Sequence, residues 1–229
     1  MNLADLEPAR RAALLAGAKR VRLARGQSAY LPGDRADHVF FVRSGRVKLV
    51  RANASGAEII VGIRTAGDAF GELTSVDEGV RATSAIAIEA VEADAIAAAA
   101  FGAALERDAA VARAFARGVA RRLAAAEHEL AELMGKSVPG RLVDALGRLA
   151  AAHGVQEPGG AVRIAINLTH KDLADLIGTS RETLTKELNV LADVGLLRVA
   201  HKTITLVQPQ AFPFARRPAD ELRTIDDAR

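Results

Sequence analysis

Residues 169–188 read THKDLADLIGTSRETLTKEL, and their spacing decides how the C-terminal part of the chain folds. Thr169 stands where a helix needs its N-cap, and Asp172 follows three residues later in a capping-box position. Leu173, Leu176 and Ile177 share one face of a first helix. Ala174 is small enough for a second helix to come close, and Gly178 supplies the positive φ of a tight interhelical turn. Ser180 caps that second helix, on which Leu184, Leu188 and Leu191 recur at i, i+4 and i+7. Arg181, Glu182, Thr183 and Lys186 fall on the opposite face, and the first three occupy the opening turn, where a recognition helix meets base edges. The hairpin pattern LLRVAHKTITLV (196–207) follows directly as a wing.

The side chains suggest roles on double-stranded DNA. Arg181 has a planar fork suited to O6 and N7 of guanine, and Glu182 can accept from the cytosine amino group. Lys186, one turn further, reaches a base or a phosphate. Thr169, Ser180, Thr183 and the wing residues His201 and Lys202 suit phosphates, which position the protein without specifying sequence. The ordinary alternative for Glu182 and Lys186 is an i,i+4 surface ion pair worth about 0.3 kcal/mol.

Outward from this motif, the 229 residues suffice for one large domain or two small ones, and the net charge of +3 fits a polyanionic partner. With no cysteine, disulfides and thiolate metal sites are excluded. The five histidines show neither i,i+3 nor i,i+4 pairing, so no metal site is expected. No Walker-type loop, Gly-x-Ser-x-Gly or cysteine nucleophile is present, so no catalytic residue is assigned and no enzymatic activity expected. The amphipathic N-terminus lacks the apolar core of a signal peptide, and no window reaches eighteen apolar residues. The expectation is a soluble, cytoplasmic protein with no membrane partner.

Residues 1–18 read as a short helix. From Val21 to Ile96, runs such as HVFFVRSG (38–45) and EIIVGI (58–63) are punctuated by glycine turns, the pattern of a small antiparallel barrel or sandwich. From Asp108 to Met134 a long helix carries Val111, Phe115, Val119, Leu123, Ala126, Leu130 and Leu133 in a seam close to a coiled-coil repeat. The bland reading packs this seam on the chain's own barrel, but a helix this long more often packs at least partly on a second copy, so a homodimer is expected. GKSVPG (135–140) breaks the helix. The organisation read here is an effector-sensing domain (1–107), a dimerisation helix and hinge (108–137), a winged-helix domain (138–208) and a C-terminal extension (209–229).

A second informative stretch is FGELTSVDEGVRATSA (70–85). Gly71 lets the backbone approach a ligand, and the turn after it aims N–H groups at an anion. Arg81 can pair with a phosphate. The bland reading is a Glu72–Arg81 ion pair bracing a loop.

Taken together, SRET at the recognition helix, the wing and the Phe-Gly-Glu-Leu…Arg-Ala spacing resemble the CRP/FNR transcription regulators over about residues 15–207. The resemblance implies an α+β fold: an N-terminal cyclic-nucleotide-binding-type β-barrel (double-stranded β-helix), a long dimerisation helix and a C-terminal winged helix-turn-helix. It implies a homodimer that binds a near-palindromic operator, with RNA polymerase as a further partner. It needs no obligatory cofactor, and cAMP is its expected allosteric ligand. The alternative is a regulator that binds DNA without a cyclic nucleotide or answers another effector. The effector residues implied are Gly71, Glu72, Leu73, Arg81, Ala82 and Thr83, with Glu72 on the ribose 2′-hydroxyl and the N–H groups of Ala82 and Thr83 completing the phosphate cradle. Ala126 and Glu127 stand where the family offers a Thr-Ser pair to the adenine. Lys186 replaces the family's usual arginine, and Glu187 its usual apolar residue.

Overall fold

The computed structural model of the chain describes residues 1–53, 56–76, 79–200 and 203–214. The expected wing contacts His201 and Lys202 therefore lie outside the described residues. The chain divides into two compact units, Met1–Glu129 and Leu130–Arg229.

In the first unit a short helix α1 (Pro8–Leu14) precedes β1 (Lys19–Leu23), β2 (Ser28–Tyr30), β3 (His38–Ser44), β4 (Val47–Ala52), β5 (Glu58–Arg64) and β6 (Ala69–Phe70). A short helix α2 (Glu72–Val76), β7 (Ser84–Ala87), β8 (Val91–Ala97) and the helices α3 (Ala98–Arg107) and α4 (Ala109–Gly135) complete it. The strands form two antiparallel four-stranded sheets, ordered β1-β8-β3-β6 and β2-β7-β4-β5. The uninterrupted run VFFV (39–42) reflects burial on both faces of the first sheet. Phe40 and Val42 face the second sheet with Tyr30, Val47, Leu49 and Phe70. Val39 and Phe41 face the helices with Phe101, Val111 and Ala114. Phe40 and Phe70 stack at 4.9 Å, and Phe101 meets Phe115 edge-on at 5.8 Å.

The expected β-barrel is not formed. One sheet ends at β1 and β6, the other at β2 and β5, and neither closes on itself. Closure requires unbroken pairing around the circumference. Here the edge strands β6 and β2 have two and three residues, too short to carry a ladder across to the other sheet. The architecture is two open sheets packed face to face. The sequence reading also leaves α3 undistinguished, because its Ala-rich run has no sharp apolar period.

The seam of α4 divides along its length. Val111 is buried and Phe115 and Val119 are half-buried, whereas Leu123, Ala126, Leu130 and Leu133 are exposed, as is the neighbouring Met134.

The second unit contains α5 (Val138–His153), β9 (Gly154–Gln156), β10 (Val162–Ile164), α6 (His170–Ile177), α7 (Arg181–Asp193), β11 (Leu197–Ala200) and β12 (Thr203–Leu206). Its antiparallel sheet is ordered β11-β12-β10-β9. Leu142 and Leu146 of α5, Leu173 and Ile177 of α6, and Leu184 and Leu188 of α7 are all buried.

Candidate effector pocket and nucleic-acid interface

The α6–α7 pair is built as its local sequence dictates. Thr169 caps α6 through a full capping box: its Oγ1 accepts from the Asp172 amide at 3.1 Å, and Asp172 Oδ2 accepts from the Thr169 amide at 2.8 Å. Gly178 ends α6 in the left-handed region at φ 65°, and Ser180 Oγ accepts from the Thr183 amide at 3.1 Å. Two tethers were not legible in the sequence. Arg141 of α5 donates to the carbonyl of Ile177 at 2.9 Å and to that of Gly178 at 3.3 Å, satisfying acceptors at the end of α6. The imidazole of His170 meets Thr185 Oγ1 at 3.2 Å, linking the start of α6 to α7.

This scaffold leaves Arg181, Glu182 and Lys186 exposed, with Thr183 half-buried. No ion pair joins Glu182 to Lys186 among the described residues, so both remain available to a ligand. Hydrogen bonds from its own backbone N–H and from Ser180 hold the Glu182 carboxyl below its usual pKa. It is ionised at neutral pH and can only accept hydrogen bonds. The hydroxyls of Thr169, Ser180 and Thr183 are engaged in capping.

In the first unit, the described residues 70–76 and 79–83 gather around an arginine. Gly71 has φ 78°, and a Cβ there would stand 2.8 Å from Arg81 Nη1 and 3.2 Å from Tyr30. The glycine thus makes room for Arg81 itself, as well as permitting the turn. The buried Arg81 donates to the carbonyls of Gly71 and His38 and lies 4.3 Å above the Tyr30 ring. A second nitrogen contact reaches Thr74 Oγ1 at 3.3 Å. The backbone of Arg81 is fixed too, its N–H donating to Asp34 and its carbonyl accepting from Gly33, both at 2.8 Å.

Glu72 and Arg81 do not pair. The fully buried Glu72 instead meets Arg122, which comes from α4. Arg122 is a functional candidate that the sequence reading missed, although it lies one helical turn before Ala126, already placed at the pocket. Leu73 and Ala82 are exposed and Thr83 half-buried. The amides of Ala82 and Thr83 take no backbone partner among the described residues, as a phosphate cradle requires. Ala126 and Glu127 are exposed on α4.

A turn of this kind beside a long helix, together with a winged helix-turn-helix, defines a DNA-binding regulator with an N-terminal ligand-binding domain. The family description for the cyclic nucleotide-binding domain matches residues 20–108, and that for the Crp-like helix-turn-helix domain matches residues 140–212. The CRP-like cAMP-activated global transcriptional regulator of Mycobacterium tuberculosis is 34% identical, over 88% of this chain and 89% of that protein. The global nitrogen regulator of Synechocystis is 30% identical, over 82% of this chain and 84% of that protein. Among solved structures, the c-di-GMP-responsive global regulator CLP of Xanthomonas campestris shares the fold, with a TM-score of 0.78 and 24% identity over 87% of this chain and 99% of that one. The chain belongs to the CRP/FNR family of transcription regulators. No helix among the described residues is long and apolar enough to cross a membrane.

Proposed function

We propose that this regulator works as a homodimer whose sensing unit takes an anionic nucleotide effector other than cAMP. The observation that carries the reading is the Glu72–Arg122 pair, which ties the effector turn to the long helix. A ligand hydroxyl that reaches Glu72 must share or break that pair, and Arg122 then shifts with α4. The apolar stripe Leu123, Leu130, Leu133 and Met134 stands exposed on the same helix, and a second copy would cover it. Ala126 offers an adenine no hydroxyl, and Glu127 brings a negative charge instead.

In this reading the effector's phosphate lies against Arg81 and the amides of Ala82 and Thr83. Its binding biases a two-state equilibrium by a few kcal/mol, ~5 for a near-complete switch. The two copies of α7 then present Arg181, Glu182 and Lys186 to successive major grooves about 34 Å apart. Thr169, Ser180, Thr183, His201 and Lys202 would lie along the phosphates.

A second reading keeps cAMP as the effector, favoured by 34% identity to a cAMP-activated regulator. Calorimetric titration of cAMP, cGMP and cyclic di-GMP into the full-length protein tests both. Binding of cyclic di-GMP that Arg81→Leu abolishes, with cAMP far weaker, supports the first. Tight cAMP binding selects the second. No binding of any nucleotide contradicts both.

A further inference from the structure

Arg64, the last residue of β5, is placed unlike an ordinary surface arginine. Its Nη1 donates to the carbonyl of its neighbour Ile63 at 3.2 Å. It also lies 2.7 Å from where a Cβ on Gly62 would stand, so the guanidinium is folded back over a glycine. Its Nε is buried without a partner, as is Nη2 of Arg122. Long cationic side chains usually carry their heads to water. Arg64 instead lies near Arg122, and burial followed by that like charge lowers its pKa.

With Asp68, Gly118, Arg121 and Arg122, Arg64 lines a cavity of about 120 Å³. That space suits one tetrahedral anionic group and is too small for a whole nucleotide. The carboxylates around it are already committed. Asp68 accepts from the Asn2 side chain at 2.9 Å and from the amide and hydroxyl of Thr65 at 3.0 and 3.1 Å. Asp5 pairs with Arg121 at 2.7 Å, and Glu72 with Arg122. Among the described residues no carboxylate pairs with Arg64. Guanidinium nitrogens buried without a hydrogen-bond partner are costly, and a bound anion would offset that cost.

The slot adjoins the effector turn. Arg122 lines the slot and also meets Glu72, the first residue of α2, while Arg81 stacks on Tyr30. Resting on the reading that residues 71–83 hold the effector, we propose that Arg64 and Arg122 form a second anion subsite, and that the effector is a nucleotide with two phosphoryl groups. One group lies at Arg81 and the other in the Arg64 slot. A cyclic mononucleotide, with its single negative charge, satisfies Arg81 and leaves the second subsite unanswered.

The test is calorimetric titration of cyclic di-GMP, cAMP and inorganic phosphate into full-length wild type, Arg64→Met and Arg64→Lys. Cyclic di-GMP should bind at least about tenfold more tightly than cAMP to wild type. Arg64→Met should erase that preference without weakening cAMP, and Arg64→Lys should keep part of it. The thermal midpoint of Arg64→Met should equal or exceed that of wild type, since a like-charge contact is removed. A dinucleotide preference that survives Arg64→Met overturns the subsite while leaving effector binding at Arg81 intact. Binding of inorganic phosphate that Arg64→Met abolishes, without any dinucleotide preference, overturns the two-phosphoryl effector and makes the slot one for a free ion. Absence of all nucleotide binding overturns the parent reading as well.

Discussion

Arg81 and Arg181 head the two working regions of the molecule, and they are placed in opposite ways. Arg81 is buried, its fork spent on the carbonyls of Gly71 and His38 and its face on Tyr30. Arg181 opens α7 exposed, and among the described residues its side chain makes no hydrogen bond or ion pair. A cation locked into the protein shapes a cradle before any ligand arrives. A cation left in water keeps its donors for a partner that brings its own acceptors. The contrast predicts that one arginine supports both stability and binding, and the other binding alone.

The sharpest test of that contrast is Arg181→Ala. A bidentate guanine contact is worth about 1–3 kcal/mol at each half-site, so a dimer should lose about 2–6 kcal/mol of specific DNA affinity. Fluorescence anisotropy on a selected site measures it. The unfolding midpoint in urea should not move, because surface changes of this kind stay within about 0.5 kcal/mol. A fall in both would break the comparison.

Arg81→Leu should behave the other way. The buried Gly71 carbonyl and the part-buried His38 carbonyl lose a charged donor, so urea unfolding should show a loss of about 2–4 kcal/mol, with effector binding abolished. DNA affinity measured without effector should change little in comparison. Smaller again is Thr169→Ala, which removes the α6 capping box and should cost about 1 kcal/mol in thermal unfolding. Lys186→Ala should have the smallest effect. If Lys186 meets a phosphate, binding weakens on all sequences and the salt-dependence slope falls by about 1 per site. If it reads a base, the loss is confined to one position of the operator.

The same two regions differ in how far the sequence disclosed them. The helix-turn-helix was legible because its determinants are local: Thr169 and Asp172, Gly178, Ser180, and leucines at fixed spacing all act within a few residues. Arg141, which ties off the end of α6, lies 36 residues upstream of Ile177 and carries no local mark. In the sensing unit, Gly71, Glu72 and Arg81 could be picked out by spacing, yet their partners could not. Glu72 meets Arg122, Arg81 meets Tyr30 and His38, and Arg64 faces Arg122, all across long stretches of chain. The same reason explains the missing barrel. Strand-rich sequence announces sheets, whereas closure depends on which edges meet, and the brevity of β2 and β6 decides that only in three dimensions.

The most direct test of the account is selection of bound sequences from random double-stranded DNA, using wild type and Arg181→Ala side by side. The account predicts that wild type enriches a near-palindrome with half-sites one helical turn apart, about 34 Å. It also predicts that Arg181→Ala loses the preference at one base pair in each half-site. Enrichment of the same motif by both proteins, or of none by wild type, would contradict the assignment of α7 as the reading element.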